Sequence, residues 1–403
     1  MDGAPALAVN SIGVSTELPV SAGLQRVIGQ VVADTPGPTL LCIASLHGNE
    51  PAGLRALERV FSRLQADRPP IRGEVTGLLG NLTAVARGER FVDSDLNRLW
   101  SPEKVVALRA GDPSATGDTE DREAAELLAE IDSVVARARG PVFCIDLHTT
   151  SGPSPPFATV SDTLRNRRFA LPFPVPIVLG LEEHLDHTLL GCLDLGCLDG
   201  EGRVTMGFEG GQHDEPSSID HCEACMWIAL AESGVLESPD SLPVVLEARD
   251  RLSRTVKDLP KVVEVRHRYA LKASERFLML PGYVSFQPIT ESDVLARDTR
   301  GDVRPPEAGR ILMPLYQRQG DDGFFVVREF RPFWLAVSAL LRHLRMDMAL
   351  HWLPGISRHP DRPHTLRIDR RVARFYALQI FHLLGYRRRR IEDGTLLVTR
   401  RRE

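Results

Sequence analysis

Two short runs, TLLCIAS at residues 39–45 and PVFCIDL at 141–147, are apolar at nearly every position. Seven residues are too few for a buried helix, and a strand with one wet face would alternate. Such runs fit strands covered on both faces, as in a parallel sheet between layers of helices. The intervening text agrees. After Pro51, the residues Leu54, Leu57, Val60, Phe61 and Leu64 fall on one helical face. GEVTGLLGNL at 73–82 reads as another strand, and Glu120–Ala138 as a helix with Ala125, Leu128, Ile131 and Val135 along one side. The pattern calls for an α/β fold with a mixed, largely parallel sheet flanked by helices.

The alternation fades near Leu246. From Val262 to Phe330 come short β-type runs broken by Gly and Pro (FLMLPGYVSF, ILMPLYQ, GFFVVREF), with Ser238–Leu259 as connector. Residues 333–352 and 369–384 read as helices, and YRRRRIEDGTLLVTRRR as a hairpin turning at Asp393-Gly394. The expected division is a catalytic domain over 1–245, a small all-β domain over 246–330, and a helical C-terminal extension with a terminal hairpin over 331–403.

Composition narrows the function classes. The chain of 403 residues carries a net charge of −5, which gives no overall pull toward nucleic acid. No apolar run approaches the roughly 20 residues of a membrane span. The first residues lack a basic stretch followed by an apolar core, so the expected address is the cytoplasm. Six cysteines at irregular spacing make no disulfide framework, and Cys42 and Cys144 sit in apolar runs as core residues. Only four lysines occur, so basic charge is nearly all Arg. Residues 362–403 hold 12 Arg against 4 acids, a local balance of +8. With no aromatic platform among them, they read as a solvated hairpin rather than an RNA site.

In open α/β sheets, ligands bind beyond the carboxyl ends of the strands. The two strongest strands end at His47 with Glu50, and at His148. Two imidazoles and a carboxylate form a recurrent catalytic zinc shell that leaves one position for water. Asp146, two residues before His148, points to the same side and can orient an imidazole. On its own H-x-x-E fits equally a loop histidine and an acid favoured by a helix N-terminus.

Four segments in order resolve that choice by resemblance: HGNE at 47–50, the R-F-x-x-x-D-L-N-R run from Arg90 to Arg98, DLHTT at 146–150, and GFEGG around Glu209. Together they resemble the succinylglutamate desuccinylase/aspartoacylase family of zinc carboxypeptidase-like hydrolases. GRILMP at 309–314 and GFFVV at 323–327 resemble its small β domain, so the likeness covers about residues 40–330. The resemblance implies one Zn²⁺ per chain, held by His47, Glu50 and His148. It implies Glu209 as general base, Arg90 as the cation at the developing oxyanion, and Asn97 and Arg98 as the grip on a substrate carboxylate.

The implied activity is hydrolysis of an amide bond in a small, carboxylate-bearing N-acyl amino acid. Peptidase or esterase action by the same machinery, and a non-catalytic metal scaffold, are the alternatives. The partner is thus a small molecule, with neither nucleic acid nor membrane involved; oligomeric state is not readable. The stretch CLDGEGRVTMGFE departs from the family: Arg203 sits at a different spacing from its second substrate-binding arginine, and a nearby tyrosine is missing. The acyl group is therefore left open, as is a tyrosine contact from Tyr283 or Tyr316. His184, His187 and His213 read as solvated loop residues, and HCEAC at 221–225 as helix.

Overall fold

The computed structural model describes residues 23–197, 202–272, 276–360, 362, 365–369, 378–392 and 395–400, and places the two apolar runs side by side in one sheet. The turn expected at Asp393-Gly394, residues 370–377 of the helix expected over 369–384, and the N-terminal 22 residues lie outside the described set, while Leu378–Leu383 is helical. The first eight strands are Val27–Val32 (β1), Thr39–Ala44 (β2), Glu74–Leu79 (β3), Val142–Thr150 (β4), Phe157–Val160 (β5), Ile177–Leu179 (β6), Val204–Gln212 (β7) and Val262–Ala270 (β8). They stand in the order β1-β3-β2-β4-β7-β5-β6-β8, and the sheet runs on through Asp322–Glu329, Gly309–Leu312 and Pro288–Ile289. β3, β2, β4 and β7 are mutually parallel, as are β5, β6 and β8. The two sets meet antiparallel where β5 pairs with β7. The fold is thus the mixed α/β sheet flanked by helices that the apolar runs demanded.

All six residues of β2 are buried. Leu40, Cys42 and Ala44 join one core, while Leu41 and Ile43 join the other. The helices Ala52–Asp67 and Pro216–Glu232 cover the first side, and Thr119–Arg137 covers the second. Asp118 starts that last helix by a reciprocal capping box with Asp121. HCEAC lies in the helix Pro216–Glu232 with Cys222 and Cys225 both buried. Cys192 and Cys197 are disulfide-bonded across the end of the helix Leu189–Leu195, a pairing that irregular spacing had not suggested.

The C-terminal extension contains the helix Pro332–His343 and a four-stranded antiparallel sheet. Its inner strands include Thr365–Ile368, which pairs with Ile356–Arg358 and Thr395–Arg400. Ile356–Arg358 and Thr365–Ile368 escaped notice because three or four residues carry no readable period, whereas Thr395–Arg400 is an arm of the expected hairpin. The solvated hairpin also needs correction. Arg387, on the strand Tyr386–Glu392, is only 2% exposed and meets Asp162 and Glu264. Strand alternation turns every second residue inward, whatever its charge.

Candidate active site

The site forms where β2 and β4 end side by side. Beyond β2 the chain reverses at Ser45, which has φ +55°, and the Ser45 hydroxyl donates to the Glu50 carbonyl at 2.9 Å. Gly48 is required by close approach: a Cβ there would lie 2.1 Å from the backbone carbonyl carbon of Ala84. This tight loop brings His47 and Glu50 over the sheet. β4 extends through His148 to Thr150, and its register sets His148 beside Glu209 on β7. A third contribution comes from the loop at residues 90–98. Glu120 pins that loop by accepting from the backbone N–H groups of Val92, Asp93 and Ser94 at 2.7, 2.9 and 3.1 Å.

Glu50 lies between two imidazoles. His47 Nδ1 is 2.8 Å from its Oε1 and His148 Nδ1 is 2.9 Å from its Oε2. The opposite ring nitrogens are also held: His47 Nε2 by Asp95 at 3.1 Å, and His148 Nε2 by Asp146 at 2.7 Å. Thr149 N–H donates to Glu50 Oε2 at 3.0 Å. Arg90 reaches Glu50 at 3.4 Å and Asp95 at 3.2 Å. Burial alone would raise Glu50, but His47 and His148 hold it well below the usual carboxylate range. Burial would likewise lower His148, but Asp146 and Glu50 hold it well above the usual imidazole range.

His47, Glu50 and His148 offer three donor atoms all within 4.8 Å of one another. Two imidazole nitrogens and a carboxylate oxygen suit Zn²⁺, and a carboxylate behind each imidazole is the usual support for such ligands. The donor set therefore fits the metal that the sequence implied. Glu209 differs from its neighbours. It is 7% exposed, and its Oε2 has no hydrogen-bond partner among the described residues. Burial, aided by Glu50 and Asp146, outweighs His148 and Arg90 and pushes its pKa up to about 8.

These residues share one cleft, open to solvent, which also takes in Arg90, Asn97, Arg98, Asp146 and Glu209. All eight sequence-derived site residues therefore line a single space. Two of them are already engaged. Asn97 Oδ1 accepts from Leu189 N–H at 2.9 Å, and Arg98 donates to the Asn97 carbonyl and lies 3.8 Å from Asp322.

Sequence reasoning passed over several lining residues. His213 is part of the cleft, with Nδ1 2.7 Å from Thr149 Oγ1 and Nε2 3.4 Å from Gln317. Its position four residues past Glu209 was the available signal. Gln317, Asp321 and Asp322 come from the β-rich segment and gave none. His184, His187 and Arg203 do not line the cleft, and neither tyrosine does. The Tyr316 hydroxyl instead donates to the Leu280 carbonyl at 2.8 Å.

Residues 36–170 match the Succinylglutamate desuccinylase/Aspartoacylase catalytic domain. Among curated proteins, a succinylglutamate desuccinylase of Pseudomonas paraeruginosa is 45% identical over 65 residues, 16% of this chain and 20% of that one. The Pseudomonas putida enzyme of the same name is 39% identical over 69 residues, covering 17% and 21%. The chain thus aligns with about a fifth of the length of the curated relatives it matches. Among solved structures, a succinylglutamate desuccinylase/aspartoacylase from Rhodobacter sphaeroides superposes with TM-score 0.53 at 19% identity, covering 75% of this chain and 89% of the other. The product-bound ectoine utilization protein of Ruegeria pomeroyi gives 0.52 at 18% identity, covering 75% and 88%. These structural likenesses concern the fold.

Proposed function

We propose, from this chain's membership of the succinylglutamate desuccinylase/aspartoacylase family, that it is a zinc-dependent hydrolase cleaving the amide bond of a small, carboxylate-bearing N-acyl amino acid. The observation that carries this reading is Glu209. A buried carboxylate with an unpartnered oxygen, in one cleft with a His₂Glu donor set, is costly for folding and useful for moving a proton.

His47, Glu50 and His148 would hold the metal, with Asp95 and Asp146 fixing the two imidazole rings. Zinc in that shell supplies Lewis acidity and makes hydroxide available near neutral pH. Glu209 takes the proton of the attacking water and returns it to the departing amine; its unpartnered, buried oxygen leaves it free to do so. Arg90, fixed by Asp95, presents a guanidinium to the oxyanion that develops on the scissile carbonyl. Loss of a comparable donor costs about 3–4 kcal/mol in other enzymes. Arg98, carried by a loop pinned to the body, offers a planar fork to the substrate carboxylate. The segment around Gln317 and Asp322 supplies part of the cleft wall.

The test is amine release from a panel of N-acyl amino acids by the zinc-loaded protein. Hydrolysis of at least one member, abolished by chelation and restored by zinc, is expected. No release from any member, or release indifferent to chelation, overturns the proposal.

A further inference from the structure

Glu209's strand, β7, is flanked by β5, then β6, then β8. The cleft takes Thr159 from β5, and Leu181 and Glu182 from the turn after β6. These residues sit close to three buried acids. Asp162 follows β5 by two residues and is 2% exposed; Glu183 follows β6 and is 8% exposed; Glu264 on β8 lies opposite Leu179 and is 2% exposed. Glu183 Oε1 accepts from the Asp162 backbone N–H at 2.7 Å, tying the two turns together.

Half of the cations that answer Asp162 and Glu264 come from the C-terminal extension: Arg342, His382 and Arg387. Arg342 on the helix Pro332–His343 donates to the Asp162 carbonyl at 2.8 Å and to its carboxylate at 3.0 Å. Arg387 pairs with Asp162 through Nε and with Glu264 through Nη1, the latter at 3.0 Å. It thereby spans from the end of β5 to β8 and passes beneath Gly180, where an added Cβ would meet Arg387 Cδ at 3.5 Å. Within the extension, the Ser338 hydroxyl and Arg342 Nε both donate to the Leu383 carbonyl, at 2.6 and 3.1 Å. Arg167 on the helix Leu164–Ala170 closes the cluster from the catalytic side, pairing with Asp162 at 2.5 Å and with the Ser338 hydroxyl at 3.1 Å.

A charge cluster buried this deeply fixes geometry more than it adds stability. A solvent-exposed tail would need none of it. We propose that the C-terminal extension is a fixed strut of the cleft: Arg342 and Arg387 hold the turns after β5 and β6, and so position Thr159, Leu181 and Glu182 in its wall. Arg342 and Arg387 are positioning residues here, since neither reaches the cleft itself. The consequence for substrate binding rests on the hydrolase reading above; the consequence for the turns does not.

The experiment is the paired variant Glu264→Gln with Arg387→Met. It removes the bridge while Asp162 keeps Arg167 and Arg342. Arg266 keeps Glu307, Arg328 reaches solvent, and the amide left at position 264 can still bond His382. Amide hydrogen exchange of the zinc-loaded full chain is compared with wild type. The expected result is at least a tenfold loss of protection in 159–163 and 180–184, with 45–50 unchanged. On a substrate hydrolysed by the wild type, KM should rise about tenfold while kcat stays within about twofold. Unchanged exchange in both turns overturns the strut, as does a fall in kcat at constant KM. Lost protection in a protein whose wild type hydrolyses nothing supports the strut and sinks the hydrolase reading instead. Should the pair fail to fold, Arg387→Lys, which keeps the charge and loses the fork, is read the same way.

Discussion

Arg98 carries the claim about substrate in one side chain. It lines the cleft half-buried, close enough to Asp322 for partial neutralisation yet not locked in a bidentate pair. A carboxylate bonded to it should gain about 1.5–3 kcal/mol. Arg98→Ala should therefore raise KM about 10- to 150-fold for carboxylate-bearing substrates and leave neutral analogues little changed. Steady-state kinetics on a matched acid and amide pair decide it; equal losses on both remove Arg98 from substrate recognition. Residues such as His47, Glu50, His148 and Glu209 were legible because each lies at or near the end of an apolar strand, where a polar side chain is conspicuous. Asp95 was not. It stands in the same run as Arg90 and Arg98, and nothing in that run says that it faces His47 rather than Arg98.

At the scale of elements, the loop from Ser45 to Glu50 is shaped against the helix Leu82–Arg87. A methyl on Gly48 would meet the backbone of Ala84, which cannot rotate away as a side chain could. Gly48→Ala should lift the loop and separate His47 and Glu50 from His148. Overpacking of this kind costs about 1–3 kcal/mol, so a fall of several degrees in Tm and a weaker zinc affinity are expected. Thermal unfolding with and without zinc checks both, and wild-type values for each would show that the helix yields instead. The strands were readable for the reason that loops were not. Burial on both faces writes an uninterrupted apolar run, whereas the turns after β5 and β6 and the segment around Gln317 obey contacts made far away in sequence. Gln317 meets Asn49 from 268 positions along the chain, at 3.1 Å, and no local pattern encodes that.

The whole molecule depends on acids buried between its catalytic sheet and its extension. Asp162 faces Arg167, Arg342 and Arg387; Glu264 faces Arg266, Arg328, His382 and Arg387. Burial would raise Glu264, but His382 and Arg387 bring it down from 4.5 to about 2. Asp162, opposed by burial and favoured by its three arginines, is also held well below its usual value. A depressed carboxyl contributes its full stability above its unfolded pKa and loses it as pH falls through the folded one. The extension should therefore stay docked above pH 4.5 and loosen progressively toward pH 2, with Glu264 alone contributing about 3 kcal/mol at most. Hydrogen exchange or chemical denaturation across that range measures it, and a stability flat from pH 5 to 2 would contradict the assignment. The sequence hid this arrangement because a run of arginines usually lies in water. Only the two-residue period of the strand Tyr386–Glu392 hinted that Arg387 turns inward.

The most direct measurement of the central claim is zinc content and amine release taken together, in the wild type and in Glu209→Gln. One zinc per chain in both proteins is expected, with kcat about 10³-fold lower in the variant, within the usual range for loss of a general base. Undiminished turnover in Glu209→Gln, or a wild type that turns over without zinc, would contradict it.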